Sequence, residues 1–387
     1  MRPVYLDNAA TTRVDDGVAA VVLSCLLEDF GNPSSSHRIG LAATRRIKAA
    51  RAQLGTALGD EDGALGTIIW TSGGTEADAL GVAGAARARA GRGRHIVVTA
   101  FEHPAVLGAA KQLEAEGFHT TTVPIRSSGV VAIDELLSAV TDETVVVACM
   151  LVQNELGTIQ PVAELARAVS SRAPRVHLHC DAVQALGKIP LDVRALGCDS
   201  VALSAHKLHG PKGVGALWLK QGARVTPLWS GGGQQDGVRS GTENVPGIAG
   251  FAEAARLAHA ALVERAPHAA RLRDRLVATI VGAGLGAIEN CVGQPRVPQL
   301  ASLAFPGVPA EPLLHALEAR GIFVSAGSAC ASSDRHVSPA LAALGHAPDV
   351  GTLRVSLAHS TTLEEIDVAA RAIIAAAAEL GGSRRRA

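Results

Sequence analysis

Residues 67–99 read TIIWTSGGTEADALGVAGAARARAGRGRHIVVT and set the class of fold. An apolar, β-branched run at 67–70 leads through a Gly-Gly turn into a stretch of helical composition at 76–90. A second apolar run follows at 95–99. Strands that are apolar throughout are typical of sheets covered on both faces, and a strand–helix–strand unit makes its two strands parallel. The stretch therefore predicts an α/β domain built on a parallel sheet.

The same alternation continues to residue 219 and predicts a mainly parallel, seven-stranded sheet with right-handed crossovers. The other strands are predicted at 120–123, 145–152, 176–180, 200–204 and 214–219, and further helices at 105–116, 162–171 and 183–186.

From about Pro246 the pattern changes and predicts a second, α+β domain. Helices are predicted at 247–263, 269–280 and 311–320, and strands at 302–305, 322–325 and 352–357. The spacing Thr361-x-x-Glu364 is typical of a capping box and predicts the start of the last helix.

Composition excludes several classes of protein. The 387 residues suffice for two or three domains, and 36 basic against 36 acidic residues give no electrostatic reason to bind nucleic acid or an anionic membrane. Hydrophobic residues make up 48% and charged residues 19%, which favours a large core. Six scattered cysteines without a C-x-x-C pair indicate a reducing compartment. No run is long enough to span a bilayer, so we expect a cytoplasmic protein with a solvated basic tail at 384–386.

Polar side chains follow the predicted strands where each strand ends, and ligands of open α/β sheets bind at that edge. The sets are TSGGTE at 71–76, FEHP at 101–104, QNE at 153–155, Asp181 with Gln184, and SAHK at 204–207. The Gly73-Gly74 turn opens a helix, whose free N–H groups suit a phosphate, although an ordinary tight connection has the same composition. Asp181 needs a partner such as a charged ring nitrogen, and Lys207 is suited to a Schiff base. A phosphate cup, a carboxylate and a lysine together indicate pyridoxal phosphate.

Other motifs give weaker signals. Residues 210–215, GPKGVG, lack the spacing of a P-loop and are expected to turn the chain into a strand. His177, His179 and Cys180 resemble metal ligands, but alternation puts Cys180 on the opposite face and no second ligand pair has zinc spacing. Four other cysteines are expected to be buried small hydrophobes: Cys25, Cys149, Cys198 and Cys291.

Two residues of the second half stand out. Cys330 lies among small residues, SAGSACASSD at 325–334, a setting that suits either a mobile, reactive thiol or an incidental loop cysteine. Arg354 lies on the opposite face of its strand from Leu353 and Val355. An arginine there clamps a substrate carboxylate or forms a surface salt bridge.

These motifs together resemble the cysteine desulfurases, fold-type I pyridoxal-phosphate enzymes of the class-V aminotransferase group. The resemblance runs from YLDNAATT at 5–12, through GNPSSSH at 31–37 and RSGTEN at 239–244, to LEEID at 363–367. Its most specific blocks are SAHKLHGPKG at 204–213 and GSAC at 327–330. It implies a large cofactor-binding domain at 16–258 and a small domain formed by 1–15 and 259–387.

The resemblance also implies roles for single residues. Lys207 would form the Schiff base, Asp181 would pair with the ring nitrogen, and His103 would stack on the ring. The residues implied to hold the remaining cofactor atoms are Gly74, Thr75, Ser204 and His206 for the phosphate, Thr242 for the phosphate from a partner subunit, and Gln184 with Asn154 for the phenolic oxygen. Asn154 is also implied to touch the substrate. Arg354 would hold the substrate carboxylate, and Cys330 would be the nucleophile that takes sulfur as a persulfide.

The implied function is removal of sulfur from L-cysteine to give L-alanine and a Cys330 persulfide. The sulfur would pass to an iron–sulfur scaffold or a thiolation protein, in a homodimer with shared active sites. A selenocysteine lyase on the same fold would not need Cys330. A sulfur-relay scaffold with a decayed site is disfavoured because Lys207, Asp181, His103 and Arg354 are all present together with Cys330.

Overall fold

The computed structural model describes residues 3–326, 338–347 and 350–384. The strands are β1 (Val4–Tyr5), β2 (Gly66–Thr71), β3 (His95–Thr99), β4 (His119–Val123), β5 (Thr144–Ala148), β6 (His177–Asp181), β7 (Ser200–Ser204), β8 (Gly215–Lys220), β9 (Ile288–Glu289), β10 (Leu300–Phe305), β11 (Ile322–Phe323) and β12 (Gly351–Ser356). None of the described helices is long and apolar enough to cross a membrane.

The α-helices alternate with these strands in the first half of the chain and cover the smaller sheets in the second. They are α1 (Asp16–Leu27), α2 (Arg38–Ala57), α3 (Gly74–Ala79), α4 (Ala85–Arg87), α5 (Pro104–Glu114), α6 (Ile133–Ala139), α7 (Val162–Arg172), α8 (Val193–Leu196), α9 (Val245–Ala260), α10 (Leu262–Val281), α11 (Ala310–Glu318), α12 (Pro339–Ala342) and α13 (Leu363–Arg384). A π-helical segment, Leu80–Gly84, joins α3 to α4, and 3-10 turns lie at Ala205–Lys207 and Gln234–Gly237.

The central sheet has seven strands in the order β2-β8-β7-β6-β5-β3-β4. Strand β8 runs antiparallel to both of its neighbours, and the remaining pairs are parallel. Its inner strands are buried along their whole length, as their apolar runs predict. The expected α/β fold with a mainly parallel seven-stranded sheet is thereby confirmed.

The second half builds a smaller α+β unit. Strands β12, β10 and β9 form an antiparallel sheet, and β1 pairs in parallel with β11. A separate hydrophobic cluster lies between these strands and helices α10, α11 and α13, and the N-terminal residues Val4 and Leu6 belong to it. The domain limits 16–258 and 259–387 stay a prediction; the limit after 258 lies in the last turn of α9.

Several local expectations are corrected. The strand expected at 145–152 ends at Ala148, and residues 183–186 form a turn instead of a helix. The capping box lies one residue later: the N–H of Thr362 donates to Glu365 at 2.8 Å, and the N–H of Glu365 donates to Thr362 Oγ1 at 3.2 Å. Arg354 is buried, which excludes a surface salt bridge, the alternative to a carboxylate clamp. Cys291 is only half-buried, unlike Cys25, Cys149 and Cys198.

Candidate active site

The carboxyl ends of four neighbouring strands bring the predicted polar residues to one edge of the sheet. Asp181 is the last residue of β6 and Ser204 the last of β7. Lys207 closes the 3-10 turn after β7, His103 caps the helix after β3, and Asn154 follows β5. Because these strands are parallel neighbours, their ends meet at the same edge.

Lys207 is held against the N-terminal segment. Its Nζ donates hydrogen bonds to the carbonyl oxygens of Ala9 at 2.8 Å and Ala10 at 2.6 Å. The carbonyl of the neighbouring His206 accepts from the N–H of Thr12 at 3.0 Å. The lysine is therefore positioned by a segment nearly 200 residues away in sequence.

Asp181 is a buried carboxyl between two basic groups. Its Oδ1 accepts the N–H of Val183 at 2.9 Å. Burial raises the pKa of Asp181, while the Val183 hydrogen bond and the charges of His103 and Lys207 oppose that shift. Burial lowers the pKa of His103, and the positive charge of Lys207 lowers it further against the pull of Asp181. The pocket thus holds a desolvated carboxyl that a cation would stabilise, beside an imidazole favoured in its neutral form.

The Gly-rich turn forms a close-packed cradle. A Cβ placed on Gly215 would lie 2.5 Å from the carbonyl carbon of Gly73, so the two backbones approach each other as only glycine allows. A Cβ on Gly74 would lie 3.5 Å from Ser204 Cβ, which puts the start of α3 beside the end of β7. Ser204 Oγ is buried and, in residues 3–326, 338–347 and 350–384, has no hydrogen-bond partner. An unsatisfied hydroxyl at a helix start is the setting that a phosphate oxygen would satisfy.

A buried ion pair locks this turn, and sequence reasoning missed it. Glu76 accepts from the N–H of Ser72 at 2.7 Å and from Arg239 Nε at 2.9 Å. Burial raises the pKa of Glu76, but the hydrogen bonds from Arg239 and Ser72 outweigh burial and lower it. The ionised carboxylate therefore fixes the turn between β2 and α3. Glu76 and Arg239 lie far apart in sequence, so in the sequence only the family-like motif around Arg239 indicated a role for this pair.

Gln184 forms a hydrogen bond with the N-terminal segment, and Asn154 forms one with Arg354. Gln184 Nε2 donates to Ala9 O at 2.8 Å, the same oxygen that accepts from Lys207. The carbonyl of Asn154 accepts from Arg354 Nη1 at 3.0 Å.

Arg354 is buried at the join of the two units. Its Nη2 donates to Asp7 Oδ1 at 2.8 Å, and its Nε has no hydrogen-bond partner within the described part of the chain. The ion pair with Asp7 was not foreseen from sequence. The unsatisfied Nε–H leaves the guanidinium able to bind a further acceptor such as a carboxylate.

A second layer of polar side chains lies buried around Asp181. His177 and His179 share hydrogen bonds with Ser200 Oγ at 2.7 and 2.8 Å, and His179 Nε2 faces Asp78 Oδ1 at 3.1 Å. Burial lowers the pKa of His179 to about 3. These partners give the histidine pair a role in the core rather than in metal binding.

One group of possible metal ligands occurs in the described part of the chain: Asp15, His209 and His359. His359 Nε2 lies 3.4 Å from Asp15 Oδ1. The charge of Arg265 acts on His359 and that of Lys188 acts on His209. Two cations at this position disfavour a divalent metal ion, so the group carries no assignment.

The remaining predicted residues differ in their exposure to solvent, and one of them is not described by the structure. Thr75 is exposed in the first turn of α3. His206 is half-buried, and its pKa is lowered to about 4 by burial and then by Lys207. Thr242 is exposed in the loop before α9. Cys330 lies outside the described residues.

The site as a whole fits a phosphorylated pyridine aldehyde. Lysine, a buried carboxyl and a neutral imidazole lie together, and a buried hydroxyl without a partner marks the cradle at the end of β7. Each of these groups matches one part of such a molecule: aldehyde, ring nitrogen, ring face and phosphate.

Comparisons with known proteins agree with this geometry. A family model described as "Aminotransferase class-V" matches residues 4–368. A "Cysteine desulfurase IscS" of Methanosarcina thermophila is 39% identical over 368 residues, which cover 95% of this chain and 90% of that protein. A "Cysteine desulfurase" of Nostoc sp. is 39% identical over 374 residues, covering 95% and 91%.

Solved structures show the same fold. A "NIFS-LIKE PROTEIN" superposes with a TM-score of 0.89 at 37% identity and covers 96% of this chain and 98% of its own. A structure titled "SspA in complex with cysteine" has a TM-score of 0.78 at 28% identity, covering 91% and 98%. DndA from Streptomyces lividans has a TM-score of 0.74 at 35% identity, covering 91% and 99%.

Proposed function

The chain belongs to the class-V aminotransferase family and is a cysteine desulfurase, and from that premise we propose how its own residues bind the cofactor and move the sulfur. The observation that carries the proposal is the buried Asp181 carboxyl, which lies within electrostatic reach of both His103 and Lys207. A buried carboxyl between these two groups suits a protonated ring nitrogen of pyridoxal phosphate.

Nine residues would hold the cofactor together with Thr242 of a second subunit. The ring would be held by Lys207, Asp181, His103, Gln184 and Asn154, and the phosphate by Gly74, Thr75, Ser204 and His206. Ser204 supports the assignment most directly, because its buried Oγ has no hydrogen-bond partner among the described residues. Pyridoxal phosphate, when bound, supplies an electron sink for the carbon atoms of an attached amino acid.

The chain's side chains would then orient the substrate. Arg354 would bind the carboxylate of L-cysteine through its free Nε–H, while Asp7 and the Asn154 carbonyl hold the guanidinium in place. His103, neutral through burial, would accept or return a proton. Lys207, fixed by two carbonyls, would present its amine at the same edge.

Cys330 would take the sulfur. Ser325 pairs with Arg354 through backbone hydrogen bonds of 2.7 and 3.2 Å, so the chain approaches Cys330 from beside the proposed carboxylate clamp. The four peptide links from Ala326 to Cys330 span at most about 14 Å. The thiolate of Cys330 would form the new S–S bond as the Cβ–S bond of the substrate breaks, leaving a persulfide and alanine.

We propose a homodimer that shares its active sites. Helix α1 exposes a row of apolar side chains, which we call the α1 apolar face: Leu23, Leu26 and Leu27, followed by Phe30. Its other side packs on α9, since a Cβ on Gly250 would lie 2.5 Å from Val22. An exposed apolar patch suits a protein interface, and the exposed Thr242 immediately precedes α9.

The sulfur acceptor is proposed to be an iron–sulfur scaffold or a thiolation protein. The balanced charge gives no basis for nucleic acid or a membrane as partner. The scattered cysteines support a cytoplasmic location.

Chemical trapping tests the cofactor assignment. Borohydride reduction of the protein loaded with pyridoxal phosphate should fix the cofactor on the peptide that contains Lys207. The Lys207→Ala variant should carry no fixed cofactor and release only background sulfide from L-cysteine. Lys212→Ala serves as the control, because Lys212 binds the Thr12 carbonyl instead and should leave the label in place. Label on Lys212 or Lys188 in the parent protein would refute the assignment.

A further inference from the structure

Lys188 is a half-buried lysine that the proposed chemistry leaves unused. It lies in the turn after Asp181, and its Nζ donates a hydrogen bond to Gln184 Oε1 at 2.6 Å. Gln184 Nε2 donates to Ala9 O, which also accepts from Lys207 Nζ, each at 2.8 Å. A short chain of hydrogen bonds therefore connects Lys188 to the proposed cofactor lysine.

The surroundings of Lys188 are unfavourable for a cation. Burial, followed by the charges of Lys207 and Arg354, lowers its pKa to about 7. No carboxylate in the described part of the chain forms a salt bridge with it. Other basic groups line the same cavity of about 70 Å³: His209, Arg265 and His359. A lysine kept here without an acidic partner costs stability, which favours a role in function.

The hydrogen bond from Lys188 decides which atoms of Gln184 remain available. A carboxamide has one oxygen that accepts and one nitrogen that donates. Lysine can only donate, so it holds Oε1 on its own side. What remains for a ligand is the second N–H of Gln184, because the first is directed to Ala9 O.

We propose that Lys188 is a positioning residue that orients the Gln184 carboxamide so that an N–H faces the phenolic oxygen of the cofactor. The inference rests on the proposed function, in which Gln184 binds that oxygen. It adds a residue that never touches the cofactor and acts through Gln184 alone. A donor at the phenolic oxygen stabilises the anionic oxygen and so favours loss of the proton from the Lys207–cofactor linkage.

The test is a pH titration of cofactor absorbance in four proteins loaded with pyridoxal phosphate: parent, Lys188→Met, Gln184→Leu and the double variant. Lys188→Met removes the donor that holds Gln184 Oε1 and so releases the carboxamide. The pH midpoint of the absorbance change should therefore rise by about one unit, the size expected for one lost hydrogen bond to a charged oxygen. Gln184→Leu should raise it similarly, and the double variant should show no further rise beyond the larger single effect.

Two further variants separate positioning from a purely structural role. Lys188→Arg keeps a cationic donor and should restore most of the parent midpoint. Lys212→Met removes a lysine that binds the same N-terminal segment, at Thr12, without touching Gln184, and should leave the midpoint unchanged. Thermal unfolding of each apoprotein shows whether a variant is folded. If Lys188→Met does not fold, Lys188→Gln replaces it, because that amide can present its oxygen to Gln184.

The outcomes distinguish this inference from the proposed function. If the parent protein binds no cofactor on Lys207, the proposed function fails. If the parent binds it but Lys188→Met keeps the parent midpoint, or if the effects of Lys188→Met and Gln184→Leu simply add, then Lys188 does not act through Gln184 and the inference is overturned.

Discussion

Three carboxyl groups are buried close together beneath the proposed ring site. They belong to Asp181, Asp78 and Glu102. After burial, the charge of Asp181 raises the pKa of both Asp78 and Glu102, and the charge of Glu102 raises that of Asp78. Glu102 Oε1 accepts hydrogen bonds from Thr99 Oγ1 and from the N–H of Met150. No described residue bonds to its Oε2. Burial raises the pKa of Glu102 to about 8. At neutral pH the pocket therefore favours a protonated Glu102 beneath Asp181.

Glu102 should make stability fall with rising pH. Its folded pKa, about 8, lies above the ordinary value of 4.5, so its contribution is complete below pH 4.5 and lost as the pH rises through 8. The contribution of Glu102 to the free energy of unfolding should fall by on the order of 1 kcal/mol per pH unit between pH 5 and 7. Glu102→Gln should remove that slope and be the more stable protein at pH 8.5. Urea unfolding of both proteins at a series of pH values measures this slope.

The matched control for this slope is Glu164→Gln, which changes an exposed glutamate of α7. It should keep the pH dependence of the parent protein. Parallel stability profiles for the parent and Glu102→Gln would show that the carboxyl of Glu102 titrates alike in the folded and unfolded chains.

Cys330→Ser should separate sulfur transfer from cofactor binding. The hydroxyl is a far weaker nucleophile than a thiolate, so sulfide release from L-cysteine should fall by at least about 100-fold, while cofactor absorbance stays at the parent level. Mass spectrometry of the parent after exposure to cysteine should show one added sulfur on the peptide containing Cys330. Undiminished turnover by the serine variant would exclude Cys330 as the sulfur acceptor and support the selenocysteine lyase alternative.

At the level of elements, the helix after the Gly-rich turn contains an irregular π segment, Leu80–Gly84, that makes room for a buried side chain. A Cβ on Gly81 would lie 2.2 Å from His179 Nδ1. His179 cannot move aside freely, because Ser200 and Asp78 hold both of its ring nitrogens. The helix thus widens where the second polar layer meets it, as π segments near functional sites commonly do.

Gly81→Ala adds only one methyl group but should clearly destabilise the fold. The added methyl group overlaps His179, so we expect a loss of about 1–3 kcal/mol in the free energy of unfolding. Gly108→Ala is the matched control, because Gly108 lies in helix α5 with nothing within 4 Å of the new Cβ. Gly108→Ala should increase the free energy of unfolding by about 0.5–1 kcal/mol. If urea unfolding gave the same change in the free energy of unfolding for both variants, the His179 ring would be able to move aside for the added methyl group.

On the scale of the molecule, the N-terminal segment joins the two units at the site. Asp7 pairs with Arg354, the N–H of Ala9 donates to Ser356 Oγ at 2.8 Å, and the carbonyl of Ala9 accepts from Lys207. The same few residues therefore contact the large sheet, the small sheet and the proposed cofactor lysine. A change in how this segment lies would alter the carboxylate clamp and the lysine together.

Mixed dimers test whether the active sites are shared. Lys207→Ala chains are paired with Thr242→Ala chains. If Thr242 acts across the interface, one site receives both changes and the other neither. The mixed dimer should then bind one cofactor with parent affinity and show about half of the parent activity. The lost phosphate contact should weaken the other site by roughly 10- to 100-fold.

Each single-variant homodimer serves as the control, since all of its sites carry one change. If the mixed dimer contains no site of parent affinity in a cofactor titration, Thr242 acts within its own chain and the shared-site proposal is wrong.

The sequence alone determined the sheet and the edge at which the polar residues gather. Apolar runs place strands, and the residues that end them, such as Asp181 and Ser204, follow at the same edge because parallel strands share direction. The seven strands, the βαβ order and the placement of Lys207 just beyond β7 are all local consequences of that pattern.

Only the tertiary structure decided which distant groups meet. The ion pair of Asp7 with Arg354 and the bonds from Lys207 to Ala9 and Ala10 join residues some 200 to 350 positions apart. The burial of Glu102 and the lowered pKa of the half-buried Lys188 were equally hidden, because charged residues are ordinarily exposed and nothing local marks the exceptions. Strands and turns follow from the preferences of neighbouring residues, whereas burial and pairing depend on packing between segments that the sequence keeps apart.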